Sequence, residues 1–146
     1  MKNNQSKKKI LVIHGPNMNL ISHRPVAVRG KMTLDKINSC LKKEAQATGY
    51  NLKAIQTNDE GKAVTYIQRL RNKISGIIIF PGPWQQSAYT IKDTLEIIKI
   101  PFITISTGEK MGLLKGIDSI NNGDLLKSCQ QAIKQLTKSD YTKNTR

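Results

Sequence analysis

The stretch Gly76-Ile77-Ile78-Ile79-Phe80 gives the strongest strand signal in the chain. It is short, apolar and rich in β-branched residues, and polar side chains do not alternate with the apolar ones, so it predicts a strand that is covered on both faces. Ile10-Leu11-Val12-Ile13 has the same character. Strands of this kind are typical of parallel sheets with helices on both sides.

Outward from these strands, apolar segments of helical spacing alternate with further short strands. Two more strands are predicted over 52–56 and 102–105, and a fifth is at best a short one near 113–117. The apolar residues at helical spacing are Leu34, Ile37, Leu41 and Ala45, then Val64, Ile67 and Leu70, then Ala88, Ile91, Leu95 and Ile98, and finally Leu126, Cys129, Ile133 and Leu136. Thr33 is the expected N-cap of the first helix, and Gly49 is its expected stop. This alternation predicts an α/β fold, a three-layer sandwich with a parallel sheet of four to five strands.

Length and composition limit the chain to one domain. It has 146 residues, of which 38% are hydrophobic. We expect a basic flexible tail over residues 1–9, a single domain over 10–137 and a polar C-terminal tail over 138–146. No apolar run approaches the ~18 residues of a spanning helix, and residues 1–9 lack the pattern of a secretory leader. We therefore expect no membrane partner and a cytoplasmic location, with Cys40 and Cys129 as buried helix residues.

The charge balance is strongly basic, with 24 Lys and Arg against 10 Asp and Glu and a net charge of +14. Such a balance makes a basic nucleic-acid-binding protein one alternative. The cations are spread along the chain, however, and aromatic residues are only 5%, without the interleaving of rings and cations that single-strand binders use. The positive potential of the chain can also serve to attract small anions, which is a simpler explanation, so we do not favour nucleic acid as a partner.

Polar side chains collect where the predicted strands end. His14 and Asn17 follow the first strand, Asn58 follows the second, and Gln86 and Ser106 come after the third and fourth. Ligands of open parallel sheets bind outside these carboxyl ends. A cleft of amides, hydroxyls and guanidinium groups suits a small hydroxylated carboxylate. The two histidines, His14 and His23, lack clustered partners, so no metal is expected.

These loops carry a family resemblance. The run His14-Gly15-Pro16-Asn17-Met18-Asn19-Leu20, Arg24 with Gly30, Thr33-Leu34, Asn58-Asp59-Glu60-Gly61, and Pro81-Gly82 followed by Asp93 resemble type II 3-dehydroquinate dehydratase. The likeness runs from about Lys9 to Ser106 and resumes weakly at Gly123. It implies a flavodoxin-like sandwich, no cofactor, and the family's step in the shikimate pathway: loss of water from 3-dehydroquinate, through an enolate, to give 3-dehydroshikimate.

The resemblance also implies residue roles. In the family a tyrosine, activated by an arginine, removes a proton, an asparagine-held water steadies the enolate, and a histidine protonates the departing hydroxyl. Asn17 and Arg24 match the asparagine and the arginine, whereas Arg29 stands at the tyrosine position and Thr104 at the histidine position. Arginine stays protonated and has no acceptor, and threonine does not titrate near pH 7. Both proton-transfer groups are therefore expected to be missing.

Other family positions have changed as well. Phe80 replaces an asparagine that contacts substrate, and Gln86 replaces a binding histidine, while Asp93 is retained; Ile105 and Ser106 complete the expected substrate-binding set. The segment between Ser106 and Gly123 is short for the family and lacks its arginine. The resemblance implies trimers assembled into a dodecamer.

Two readings of function follow. One is a dehydratase-like protein that binds a hydroxylated carboxylate with weak or no turnover. The other is a noncatalytic relative with a binding or regulatory role.

Overall fold

A five-stranded parallel sheet forms the middle layer of the computed structural model, which describes residues 8–25 and 31–138. The strands are β1 (Lys9–His14), β2 (Asn51–Gln56), β3 (Gly76–Phe80), β4 (Phe102–Ile105) and β5 (Asp118–Ile120). They lie in the order β2-β1-β3-β4-β5, and every neighbouring pair is parallel. The predicted α/β fold with a parallel sheet is confirmed.

Helices cover both faces of this sheet. After a 3-10 helix (Met18–His23) come α1 (Leu34–Ala47), α2 (Glu60–Leu70), the short α3 (Trp84–Ser87), α4 (Tyr89–Ile98) and α5 (Leu125–Leu136). α1 packs against α5, and α2 packs against α4. The described part of the chain contains no helix with the length and hydropathy needed to cross a bilayer.

Side-chain alternation along β3 explains why both faces are covered. All five residues of β3 are buried. Ile78 and Phe80 join the core that includes residues of α1 and α5, whereas Ile77 and Ile79 join the core that includes residues of α2 and α4. Since successive side chains of a strand point to opposite faces, a wholly apolar run contributes to two cores at once.

The predicted ends of α1 are confirmed. The Thr33 hydroxyl accepts a hydrogen bond from the Lys36 N–H at 3.2 Å, which satisfies one of the free donors at the helix start. Gly49 follows the helix with a φ of 83°, and the Tyr50 N–H returns to the Ala45 carbonyl oxygen at 2.9 Å. Both cysteines lie on helices, with Cys129 buried and Cys40 half-buried.

Three boundaries differ from the sequence expectation. Lys9, assigned above to the tail, is the first residue of β1 and pairs with Asn51. The helix expected from Ala88 begins at Tyr89, and Ala88 separates it from the short α3 that precedes it. The short strand expected near 113–117 forms further along the chain, at 118–120. Gly116 contributes a β-bridge, but its φ of 71° lies outside the range of a regular strand.

Candidate functional site

The loops that follow the strands meet at one edge of the sheet. After β1, the Gly15 N–H donates to the Phe80 carbonyl oxygen at 2.9 Å and so joins this loop to the end of β3. A Cβ on Gly15 would lie 2.8 Å from that oxygen and 2.9 Å from the Trp84 ring. Only glycine allows this close approach, and the approach fixes the position of the loop that follows β1.

Asn17 is held at the edge by its backbone. It has a φ of 68°, a conformation that asparagine tolerates better than most residues, and its N–H donates to the Asn58 side-chain oxygen at 3.0 Å. The Gln56 side-chain amide donates to the same oxygen and to the Gly15 carbonyl, at 3.2 Å in both cases. The loops after β1 and β2 are thereby tied together, and the Asn17 side chain stays exposed.

The structure describes one of the two arginines of the predicted site. Arg24 is half-buried just after the 3-10 helix, and its N–H donates to the Ile21 carbonyl oxygen at 3.0 Å. Over residues 8–25 and 31–138 its guanidinium has no ion-pair partner. Arg29, predicted at the tyrosine position, lies outside the described residues.

Thr104 lies at the end of β4 and is 2% exposed. Its hydroxyl donates to the Ser119 hydroxyl at 2.8 Å, and Ser119 donates in turn to the Lys115 carbonyl oxygen at 2.8 Å. This chain of hydrogen bonds engages the threonine with β5 and the segment before it. The side chain of Ile105, the next predicted residue, is wholly buried in the core.

Ser106 begins a tight turn. Its hydroxyl donates to the Glu109 carbonyl oxygen at 2.9 Å and accepts from the Gly108 N–H at 3.0 Å. The Glu109 carboxylate accepts from the N–H and the hydroxyl of Thr107, at 3.0 and 3.1 Å. Its second oxygen is buried without a hydrogen-bond partner among the described residues. Sequence reasoning missed Glu109, since one carboxylate in a poorly patterned loop gives no signal.

Thr104, Ser106 and Glu109 share one small cavity, which we call the strand-end cavity. Its volume is about 50 Å³, and its other lining residues are Gln85, Lys110, Met111, Ser119, Ile120 and Asn121. Pockets that hold drug-sized ligands measure roughly 300–1,000 Å³. Of the predicted site residues that the structure describes, only Thr104 and Ser106 line it. As far as residues 8–25 and 31–138 form its walls, they offer hydroxyls, amides, one carboxylate and one ammonium, with no imidazole or phenol.

Gln85 is a second residue whose role sequence reasoning missed. It is buried, and its side-chain oxygen accepts from the N–H groups of Gly112 and Leu114 at 3.1 and 2.8 Å. Its amide nitrogen donates to the Leu114 carbonyl oxygen at 2.8 Å. Gln86, the predicted binding residue, is exposed. Gln85 thus attaches the segment between β4 and β5 to α3.

Phe80 and Asp93 lie apart from the strand-end cavity. The Phe80 ring is wholly buried and stacks on the His14 ring, with centroids 4.7 Å apart. Asp93 is exposed on α4. The expected contact of the Phe80 side chain with substrate is therefore not available in this arrangement.

His14 is neutral at pH 7. Its Nε2 lies 2.7 Å from the Asn38 side-chain oxygen, and its Nδ1 has no partner within the described part of the chain. Burial lowers the pKa of His14 to about 4, although the hydrogen bond to Asn38 acts in the opposite direction. A histidine in this state is no proton donor near neutral pH. No group of three or more His, Cys, Asp or Glu side chains placed to hold a metal occurs in residues 8–25 and 31–138.

Comparison with curated proteins supplies close sequence relatives. The 3-dehydroquinate dehydratase of Roseiflexus castenholzii is 40% identical over 97 residues, which cover 66% of this chain and 62% of the relative. The catabolic 3-dehydroquinase of Aspergillus clavatus is 40% identical over 98 residues, which cover 67% and 65%. The match therefore spans somewhat less than two thirds of the length of either relative.

A solved structure and a family model agree with these relatives. The type II dehydroquinase of Butyrivibrio crossotus superimposes with a TM-score of 0.78 at 25% identity, covering 91% of this chain and 99% of that one. The model for dehydroquinase class II matches residues 8–110, which contain β1 through β4. On this match, the chain belongs to the class II dehydroquinase family.

Proposed function

We propose that this chain binds a small hydroxylated carboxylate weakly at the strand ends and dehydrates 3-dehydroquinate slowly or not at all. The observation that carries the proposal is Thr104, which stands where the family resemblance places the proton-donating histidine. Its hydroxyl proton is engaged by Ser119 at 2.8 Å. A threonine hydroxyl does not ionise near pH 7, so it is too weak an acid to protonate a departing hydroxyl.

The position of the general base supports the same proposal. By the family resemblance, Arg29 stands at the position of the tyrosine. A guanidinium stays charged and has no acceptor, so it cannot remove a proton from carbon. Each general acid or base is worth ~10² to 10⁴ in rate. Loss of both removes most of the family's acceleration, even if the two losses do not add.

The size of the strand-end cavity is a further support. At about 50 Å³ it has room for one or two waters rather than for a cyclic acid. A cyclic acid therefore has to lie outside it, towards the exposed side chain of Asn17 and the half-buried Arg24. The guanidinium of Arg24 can grip a carboxylate with two parallel hydrogen bonds.

The turnover part is tested with purified protein and 3-dehydroquinate, by following the enone absorbance of the product. We expect a rate far below the ~1 to 10³ per second of ordinary enzymes. A rate inside that range refutes the proposal. The protein is produced in a host without its own dehydroquinate dehydratase, so that no contaminant supplies the activity.

The binding part is tested by thermal shift with 3-dehydroquinate and other hydroxylated cyclic acids. A ligand that binds only the folded state raises Tm. We expect a small rise at millimolar ligand that Arg24→Gln abolishes and that Arg69→Gln, on an exposed part of α2, leaves unchanged. If no acid raises Tm, the noncatalytic alternative without a carboxylate ligand takes its place, and a steep salt-dependent affinity for random duplex DNA would favour nucleic acid instead.

The proposal includes a homo-oligomer and a cytoplasmic location. Tyr89, Asp93 and Ile97 follow one another at four-residue spacing on α4, and Tyr89 and Ile97 are 66% and 69% exposed. Two exposed apolar side chains that flank one carboxylate on the same helix face fit contact with another copy of the chain. The two free cysteines fit a reducing compartment. Light scattering tests the assembly, and cell fractionation tests the location.

A further inference from the structure

An open groove lies at the end of β4 opposite to the strand-end cavity. It runs between Lys92 and Glu96 of α4 with residues 99–102 on one side and residues 112–117 on the other, and its volume is about 710 Å³. We call it the lysine groove. Its volume falls in the range of small-molecule sites, roughly 300–1,000 Å³. It is separate from the site proposed above.

Backbone hydrogen bonds fix the spacing of its two walls. At one end the Leu113 N–H donates to the Gln85 carbonyl oxygen at 2.9 Å, and at the other the Ile117 N–H donates to the Phe102 carbonyl oxygen at 2.8 Å. A Cβ on Gly116 would come within 2.1 Å of that Phe102 oxygen, so glycine permits the close approach. The wall of residues 112–117 is thus held at both ends, and the groove is formed before any ligand arrives.

The floor of the lysine groove is apolar. Its uncharged side chains are those of Ile100, Pro101, Phe102, Leu113 and Ile117. Ile117 is 43% exposed, although an isoleucine gains from removal from water. An alkyl chain or ring laid on this floor would shield side chains that otherwise face solvent.

The rim of the groove is positively charged. Lys92, Lys99 and Lys115 stand against one carboxylate, Glu96, and Lys92 pairs with Glu96 at 2.6 Å. Lys99 and Lys115 have no ion-pair partner in residues 8–25 and 31–138, and they come from opposite walls. The C-terminal end of α4 carries partial negative charge and does not attract an anion. An anion in the groove would therefore bind to the ammonium groups of Lys99 and Lys115.

We propose that the lysine groove binds a small apolar monocarboxylate. The alkyl chain or ring lies on the floor of Ile100, Phe102, Leu113 and Ile117, and the carboxylate lies between Lys99 and Lys115. The charge excludes cationic amphiphiles, and the shortage of donors other than ammonium groups disfavours polyhydroxylated acids. This ligand class differs from the hydroxylated carboxylate proposed above for the site near Asn17 and Arg24.

Titration calorimetry with sodium decanoate below its micelle concentration tests the proposal. We expect saturable binding to the full chain with one site per copy, weakened at least tenfold in K99Q/K115Q and in I117D. The matched controls are K43Q/K134Q, which removes two exposed lysines from α1 and α5, and Y66D, which places the same negative charge at an exposed residue of α2 outside the groove. Both controls should bind within twofold of the unchanged chain.

Several results would overturn this inference. One is no binding of decanoate at millimolar concentration, and another is binding that the groove variants leave intact. Equal binding of decyltrimethylammonium would show that charge plays no part. Protection of Ile117 by a second copy of the chain, seen as dimers that I117D dissociates, would assign the groove to self-association. Circular dichroism and urea unfolding of each variant confirm that a lost affinity does not come from a lost fold.

Discussion

The side-chain amide of Gln85 brackets Leu114, because its oxygen accepts from the Leu114 N–H and its nitrogen donates to the Leu114 carbonyl oxygen, both at 2.8 Å. The same oxygen accepts from the Gly112 N–H at 3.1 Å. One buried side chain therefore satisfies three backbone groups of a segment that has no strand partner there. In this way the segment between β4 and β5 is attached to α3.

Gln85→Leu should destabilise the fold strongly. The leucine fills the space but leaves the two buried backbone groups of Leu114 and the part-buried Gly112 N–H without partners, and each buried group costs roughly 1–3 kcal/mol unless water reaches it. We expect the free energy of unfolding to fall by about 2–4 kcal/mol in urea titrations. Gln86→Leu changes the exposed neighbour and should shift it by less than ~0.5 kcal/mol. Equal effects of the two changes would contradict the assigned role.

His14 should make stability depend on pH. Between the unfolded value of 6.5 and the folded pKa of about 4, the unfolded chain binds a proton that the folded chain does not. The free energy of unfolding is therefore at its full value above pH 6.5, and it decreases by up to about 3 kcal/mol as the pH falls to 4. Urea unfolding over this range should show the decrease in the unchanged chain and a smaller one in His14→Gln. An NMR titration that places the His14 pKa near 6.5 would rule this out.

Gly112→Ala should be far more damaging than Gly61→Ala. A Cβ on Gly112 would lie 2.1 Å from the Gln85 carbonyl oxygen, so the backbone has to move, whereas on Gly61 it would lie 3.2 Å from a side-chain oxygen of Asp59. We expect a loss of at least about 1–3 kcal/mol for Gly112→Ala. Gly61→Ala, in the first turn of α2, should be neutral or gain up to ~1 kcal/mol. Thermal unfolding of both variants measures the contrast.

Glu60 should prove to be the cap of α4. Its carboxylate accepts from the Thr90 and Ile91 N–H groups at 3.0 and 3.2 Å, and α4 has no side-chain cap at Ala88. Glu60→Ala removes acceptors and a negative charge from the start of the helix, so we expect a loss of about 1 kcal/mol. Glu96→Ala breaks only the exposed pair with Lys92 and should cost less than ~0.5 kcal/mol. Chemical denaturation distinguishes the two.

Thr104→His alone should not restore dehydratase activity. The imidazole has to enter a cavity of about 50 Å³ that is lined by Glu109, Lys110 and Met111. We therefore expect a gain in kcat/KM well short of the roughly 10²–10⁴-fold that a placed general acid contributes. Thr104→Val serves as the control for the lost hydrogen bond to Ser119. A gain within that range would show that the acid was the only missing part.

The sequence predicted the layers of the fold because they depend on side-chain pattern. Ile77 to Phe80 are apolar at every position, and that is enough to require cover on both faces. The ends of α1 followed from Thr33 and Gly49 for similarly local reasons. The roles of Gln85 and Glu109 depend on contacts with residues 112–114 and 107, which fold back on them in three dimensions. A lone amide or carboxylate in a loop has no periodicity, so pattern reasoning could not find either one.

The direction of the hydrogen bonds around Thr104 limits what can enter beside it. The hydroxyl hydrogens of Thr104, Ser119 and Ser106 are all given to protein oxygens. These hydroxyls therefore present only lone pairs to a bound group, and the Glu109 oxygen that has no partner among the described residues adds further lone pairs. A group that binds at these oxygens has to donate a hydrogen bond. Water or the alcohol group of a sugar-like acid can do so, whereas the acid's carboxylate cannot and is disfavoured there.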